Sequence, residues 1–333
     1  MGWVCGSYLP PMPVQPTTLP VIAAPMFLIS GPKLVVECCK AGIIGTFPAL
    51  NQRTTEGLDE WLTQIKTELK DWEAETGKTA APFGVNLIVH GSNPRLEADL
   101  RVCGKHRVPL IITSLGAVSQ VVEAVHSWGG EVFHDVIKRR HGEKAAEAGV
   151  DGLIAVASGA GGHGGTLNPM VLVSELKSFF EGRIILSGCI SNGRDVATAL
   201  QMGADLAYMG TRFIATDESM ATEEYRQMIV ESKAEEIVYT AAISGVNANF
   251  LGRSLRAAGI TEEDLRKTTK IDFGKEMDTE AKAWKTIWSA GQGVSTVTET
   301  LPVAALVGQL KAEFLAATAE QEERAGYWRA AVA

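Results

Sequence analysis

Three features of this 333-residue chain predict the α/β class, as a (β/α)8 TIM barrel with an appended mainly helical C-terminal domain. Most of the short runs rich in β-branched residues are continuously apolar rather than alternating, as expected of parallel strands buried on both faces. Amphipathic helical segments separate them, and successive runs begin about 20 to 40 residues apart, the span of one βα unit. Glycine punctuates the helix-to-strand joints at Gly42, Gly129, Gly149, Gly182 and Gly203, where a left-handed C-cap would turn the chain back. Eight such units in series close a barrel. A doubly wound open sheet is the alternative, and the strand-end residues described below favour closure.

The expected strands are residues 19–26, 43–50, 83–90, 108–115, 131–136, 152–158, 184–189 and 206–213. The clearest helices are 58–75, 117–128, 169–180 and 194–202. Trp61 and Trp72 on the long second helix belong either to the core or to a face that forms a homodimer. The pattern changes near residue 233, with few strand candidates beyond it and glycines at 245, 252, 274, 291 and 293. The division expected is a barrel over 1–233 and a mainly helical domain over 234–333 that leans across the barrel mouth.

Composition narrows the function classes. Apolar residues make up 46% and charged residues 21%, enough for a packed core and too little charge for wholesale disorder. A net charge of −8 gives no footprint for nucleic acid or an anionic membrane, and Lys138-Arg139-Arg140 reads as a solvated helix start. Cys5, Cys38, Cys39, Cys103 and Cys189 form no CxxC pair and no metal-ligand spacing, which fits a reducing cytoplasm and no metal site. The first seven residues lack a signal-peptide pattern, and Gly6 breaks the myristoylation pattern. The apolar stretch 19–30 is too short for a membrane span. A soluble, cytoplasmic protein is expected.

The most informative run is Ser158-Gly159-Ala160-Gly161-Gly162-His163-Gly164-Gly165, directly after the sixth strand. Glycines let backbone approach something flat or anionic, and the run places one imidazole at a strand's C-terminal end, where barrels of this class put their chemistry. A plain flexible turn is the competing reading. Isolated histidines are mostly surface or satisfied core groups, which suffices for His90, His106, His126 and His141; His134 is ambiguous. His163 stands apart because flanking glycines leave it little to pack against.

Four further segments fall on the strands, most of them at strand ends. Ser187-Gly188-Cys189 and Met209-Gly210-Thr211-Arg212-Phe213 follow the seventh and eighth strands, the usual phosphate loops of a barrel. Gly188 and Gly210 would admit backbone amides to phosphate oxygens, and Thr211 adds a hydroxyl. Both glycines could instead only relieve crowding. Ala23-Ala24-Pro25-Met26 would give a shelf for a planar ring, although Met at a strand end is usually core. In Phe83-Gly84-Val85-Asn86, the amide interrupts a buried strand and must find partners, in the fold or on a ligand.

These five motifs, in this order and spacing, resemble the nitronate monooxygenases, formerly called 2-nitropropane dioxygenases. The resemblance runs from about residue 19 to 216 and resumes at Ile287-Trp288-Ser289-Ala290-Gly291-Gln292-Gly293. It implies a flavoprotein with FMN as cofactor. Ala24, Pro25 and Met26 would lie at the ring, and Asn86 and Asp135 at its polar edge. Gly161 and Gly162 would border it, and Ser187, Gly188, Cys189, Met209, Gly210 and Thr211 would hold the phosphate. Trp288, Ser289 and Gln292 would cover the site, with His163 as catalytic base. The implied reaction is oxidation of alkyl nitronates, and of nitroalkanes as a further substrate, with O2 to carbonyl compounds and nitrite.

Two positions depart from the family. Some members carry lysine where this chain has Asp135 after His134, and many carry a second glycine where it has Cys189. The rival on the same scaffold is an NAD(P)H-dependent reduction of a quinone or enoyl thioester. A non-catalytic phosphate-ligand sensor is a weaker alternative, since a sensor does not need His163.

Overall fold

The structure is a computed structural model that describes residues 17–116, 119–243, 245–265 and 287–332. The N-terminal seven residues, Cys5, Gly274 and the first two residues of the expected 117–128 helix lie outside the described residues.

Eight parallel strands close a barrel: β1 (Val21–Ala23), β2 (Ile44–Pro48), β3 (Phe83–Ile88), β4 (Leu110–Ser114), β5 (Glu131–Val136), β6 (Gly152–Val156), β8 (Arg183–Ser187) and β9 (Leu206–Met209). Closure is direct, with Val21, Ile22 and Ala23 of β1 in register with Ala207, Tyr208 and Met209 of β9. Each expected strand is present. The last is shorter than expected: it stops at Met209, and Thr211–Ile214 forms a short helix, α8, with Gly210 at its N-cap. Thr-Arg-Phe-Ile is as apolar and β-branched as a strand, so composition did not mark the change.

Around the barrel run α1 (Pro32–Ala41), α2 (Thr55–Thr76), α3 (Leu96–His106), α4 (Ser119–Ser127), α5 (Arg139–Glu147), α6 (Pro169–Lys177) and α7 (Gly193–Gln201). Thr54 caps α2 by accepting from Gly57 N, Asn168 caps α6 ahead of Pro169, and Asn192 with Asp195 forms a capping box on α7. Gly42, Gly129, Gly149 and Gly203 take the expected left-handed conformation. Gly182 does not. It is a glycine of close approach, because a Cβ there would meet the Phe180 ring at 2.5 Å and Asp151 O at 2.7 Å.

Period-2 alternation divides the core in two. Ile22, Ile44, Ile112, Phe133, Ile154, Ile185 and Leu206 fill the barrel interior, making it a packed layer rather than a pore. Val21, Val85, Ile111, Val132, Leu153 and Met209 face the helices instead. Fully burying a side chain of this size contributes about 1.5–3 kcal/mol. Trp61 and Trp72 pack against this outer layer, and Trp61 meets the Phe47 ring edge-on at 5.6 Å.

After β9 come α9 (Glu223–Glu231) and a hairpin of β10 (Ile237–Thr240) and β11 (Ala248–Leu251). β11 pairs on its other edge with a two-residue strand, β7 (Gly162–His163), inside the glycine run. α10 (Gly252–Ala257) follows β11. The helix Val303–Val332 packs along α1 and α7 on the barrel's flank. Among the described residues no helix is long and apolar enough to cross a membrane, and no group of metal-ligating side chains occurs. Cys38, Cys39 and Cys103 are buried free thiols.

Candidate active site

Directly above the apolar interior lies a layer from the same strand faces, two residues further along: Ala24, Thr46, Asn86, Ser114, Asp135, Val156, Ser187 and Tyr208. Six of these eight are polar, so the C-terminal end of the barrel has a polar floor. Asn86 Nδ2 donates to Ile112 O at 3.2 Å and to Ser114 Oγ at 2.8 Å, and Ser114 Oγ donates to Asp135 Oδ2 at 2.5 Å. Asp135 Oδ1 is buried without a hydrogen-bond partner. Burial pushes the Asp135 carboxyl up to about 6, against the lowering effect of the Ser114 hydrogen bond. Tyr208 faces the same interior, and burial together with the Asp135 charge holds its phenol well above the usual range. His134, one residue earlier, points to the helical layer, where Thr113 Oγ1 meets its Nδ1 at 2.7 Å. It is a satisfied core histidine.

The ends of β1 and β9 meet beside this floor. Ala24 N donates to Met209 O at 2.9 Å, and a Cβ on Gly210 would sit 3.7 Å from both Ala24 Cβ and Met26 Sδ. Met26 is half-buried, and its turn is pinned by Asn51, whose side chain donates to Met26 O and Ser30 O and accepts from Leu28 N. Leu28 holds a left-handed φ of 62° in that turn. Met209 itself is fully buried against the helices, so only its backbone borders the mouth.

Gly188 has φ 122°, and a Cβ there would press on Ser158 O at 3.2 Å. Cys189 holds φ 59°, a conformation glycine adopts without cost and other residues rarely do. At the helix that follows, most of the leading amides are already taken: Gly193 N donates to Glu313 Oε2, and Ser191 N and Asn192 N donate to Asp195 Oδ2. The strand-end glycines Gly188 and Gly210 and the Thr211 hydroxyl lie at this end of the barrel beside α7. Arg212 is buried, donating to Ala215 O and Glu299 O.

Residues 287–296 return to the mouth and interlock with the glycine run. Gln292 N donates to Gly159 O at 2.9 Å, and Gly291 N donates to Thr211 Oγ1 at 2.8 Å. A Cβ on Gly161 would lie 2.8 Å from Gly291 N, and one on Gly291 2.6 Å from Gly159 O. The glycines serve chain-to-chain approach as much as ligand approach. Asn249 Nδ2 donates to Ala160 O, and Tyr239 OH to Gly164 O, so the hairpin holds both sides of the histidine. Trp288 stacks on Tyr225 with ring centroids 4.8 Å apart, and Tyr225 OH donates to Ser289 O.

His163 projects from this clamp. It pairs through its backbone with Ala248, and its side chain is exposed at the mouth. The surrounding protein nevertheless lowers its pKa below the ordinary histidine value, favouring neutral imidazole near pH 7.

The structure thus brings Ala24, Met26, Asn86, Asp135, Gly161, Gly162, His163, Gly188, Gly210, Thr211 and Gln292 to the C-terminal end of the barrel. Sequence reasoning did not single out Ser114, Tyr208, Tyr225 or Asn249. Ser114 and Tyr208 carried a usable signal, since both share the interior parity of their strands. A separate cavity of about 470 Å³, lined by residues including Val89, His90, Asn93 and Arg101, contains none of the mouth residues.

A shelf of small and thioether side chains, a polar floor with an orphaned carboxyl oxygen, and glycine loops beside a hydroxyl fit a planar, phosphorylated cofactor such as FMN. The family model for nitronate monooxygenase matches residues 91–313. A nitronate monooxygenase of Paraburkholderia phytofirmans is 26% identical, aligned over 91% of this chain and 94% of its own. FabK from Thermotoga maritima superposes with a TM-score of 0.75 at 23% identity, covering 93% of this chain and 96% of that one. A nitroalkane oxidase from Streptomyces ansochromogenes gives a TM-score of 0.73 at 24% identity, covering 91% and 98%. At such identities the two solved structures speak for the fold.

Proposed function

The chain belongs to the nitronate monooxygenase family and is a flavin-dependent oxidoreductase, and on that premise we propose that its cofactor is FMN and its reaction the oxidation of alkyl nitronates by O2 to carbonyl compounds and nitrite. Neutral nitroalkanes are the further substrate. One observation carries the reading: His163 is held by the β7–β11 pairing at a glycine-cleared mouth, above a polar floor.

FMN, when bound, supplies electron acceptance and the reaction with O2. The protein's part is to bind, orient and move a proton. Gly188 and Gly210 amides and the Thr211 hydroxyl take the phosphate. Ala24 and Met26 support the ring, and Pro25 shapes that shelf. Both Asn86 amide hydrogens are used inside the fold, so its carbonyl oxygen is the atom for a ligand N–H. Ser187 and Cys189 flank the phosphate loop, and Trp288, Ser289 and Gln292 close the mouth. Neutral His163 takes the α-proton of a nitroalkane on an imidazole nitrogen, which generates the reactive anion in place. The buried free thiols Cys38, Cys39 and Cys103 suit a reducing compartment such as the cytoplasm.

The test is anaerobic mixing of the yellow protein with a nitronate and, separately, with NADH or NADPH. Reduction of the flavin by nitronate alone is expected. Bleaching by the nucleotide without response to nitronate would make the protein a reductase on the same scaffold. The His163→Ala variant is expected to keep FMN and lose about 10²–10⁴-fold in turnover of neutral nitroalkanes. An unchanged rate removes His163 from the chemistry.

A further inference from the structure

Hydrogen-bond accounting on the barrel floor assigns each proton. Ile112 O can only accept, so the side-chain atom of Asn86 that meets it is nitrogen; that same nitrogen donates to Ser114 Oγ. Both amide hydrogens are then spent. Ser114 has one hydroxyl hydrogen, and its remaining partner is Asp135 Oδ2. With Ser114 donating to Oδ2, a proton on the Asp135 carboxyl belongs on Oδ1, the oxygen buried without a partner. Protonated, that oxygen is a donor in a layer otherwise rich in acceptors; ionised, it is an uncompensated charge.

The surroundings favour the acid. Ser114 of β4 and Asn86 of β3 stand on one side, and β6 presents Val156. Across the interior are Ala24 of β1, Ser187 of β8 and Tyr208 of β9. Tyr208 is the titratable group sharing that interior, and it is neutral there. His134 lies on the opposite face of β5, and His163 stands above on β7 with its pKa lowered. Among the causes acting on the Asp135 carboxyl, burial comes first and no cation offsets it. The residue as a whole is half-buried while its Oδ1 is covered, so a ligand must settle directly onto the floor to take that hydrogen.

The geometry points to Asp135 as a neutral acid that binds the cofactor, donating its Oδ1 hydrogen to a polar ring atom of FMN, so that binding takes up a proton. This rests on the FMN reading above. It makes Asp135 a group that confers proton-linked flavin affinity, where a cation at the same position would act at every pH.

The experiment measures FMN affinity by fluorescence quenching on stripped protein across pH, for the native chain and Asp135→Asn. The asparagine keeps an acceptor for Ser114 and presents a donor at every pH. Native Kd is expected to rise up to about tenfold per pH unit above the carboxyl's titration, relative to Asp135→Asn. The FMN phosphate also titrates, near about 6, but acts on both proteins alike. A second measurement needs no variant: calorimetry of the native protein at about pH 8 in two buffers of different ionisation enthalpy counts protons. Uptake of about one proton per FMN is expected, because the phosphate is already a dianion there. Parallel pH profiles, or no proton uptake, overturn the assignment of Asp135 while leaving the FMN reading standing. Failure of both proteins to take up FMN at any pH overturns both.

Discussion

His134 and Asp135 are neighbours in β5 that face opposite ways and titrate in opposite senses. His134 is 5% exposed, and burial, aided by repulsion from His141, lowers its pKa to about 4. The unfolded chain holds a histidine near about 6.5, so the native state refuses a proton that the unfolded state accepts. Stability from this site is full above that value and drains as pH falls toward 4, by roughly 3 kcal/mol in all. Asp135 runs the other way, because its native carboxyl holds a proton up to about 6. Its contribution is full below the unfolded carboxylate range and is lost as pH rises through 6. Between pH 4 and 6 the two slopes oppose each other. Thermal melts at pH 7, 6 and 5 should therefore fall more steeply for Asp135→Asn than for the native protein. Parallel melts would show that the carboxyl is already ionised in this window.

At the scale of elements, the site depends on segments too short for periodicity to reveal. The eight barrel strands were legible because most are largely apolar runs, and several follow a glycine that ends the preceding helix. β7 is two residues within a glycine run, and only the partner β11, some 85 positions away, makes it a strand. The floor was half legible. Asn86 and Asp135 stand out as polar residues in apolar strands, whereas Ser114 and Tyr208 are ordinary strand residues whose parity alone places them inside. The same parity would have turned the Met209 side chain outward. Tyr225 and Asn249 come from elements whose approach to the mouth no local pattern encodes. The clamp between the glycine run and residues 287–296 is correspondingly tight. Gly291 has φ −87°, which alanine adopts freely, but a methyl group there would meet Gly159 O at 2.6 Å and Gly161 N at 2.9 Å. Gly291→Ala should keep the far-UV circular dichroism of the barrel and weaken FMN binding about tenfold or more. Unchanged affinity would mean the two segments separate without consequence for the mouth.

The long C-terminal helix ties the molecule together from the flank. Glu313 accepts from Gly193 N at the start of α7, Lys311 Nζ donates to Ala41 O, and Arg194 pairs with Glu320. α7 begins just after the Gly188–Cys189 loop, and Ser191 in that loop closes on Gly293 of the returning segment. A displacement of the helix thus reaches the phosphate loop through α7. Gly193 is where the helices touch: a Cβ there would overlap Leu310 O and lie 2.5 Å from Phe314 N. Backbone cannot yield as a flexible side chain does, so Gly193→Ala must push the helix away, at a cost of about 1–3 kcal/mol. Gly308 in the same helix has nothing within 4 Å of its absent Cβ, so alanine there should gain up to about 1 kcal/mol of helix propensity. The pair separates contact from propensity. Thermal unfolding should move down for Gly193→Ala and up for Gly308→Ala, with FMN affinity falling only in the first. If Gly193→Ala melts with the native protein and holds FMN equally well, the helix is a passive cover, and the phosphate loop is positioned by the barrel alone.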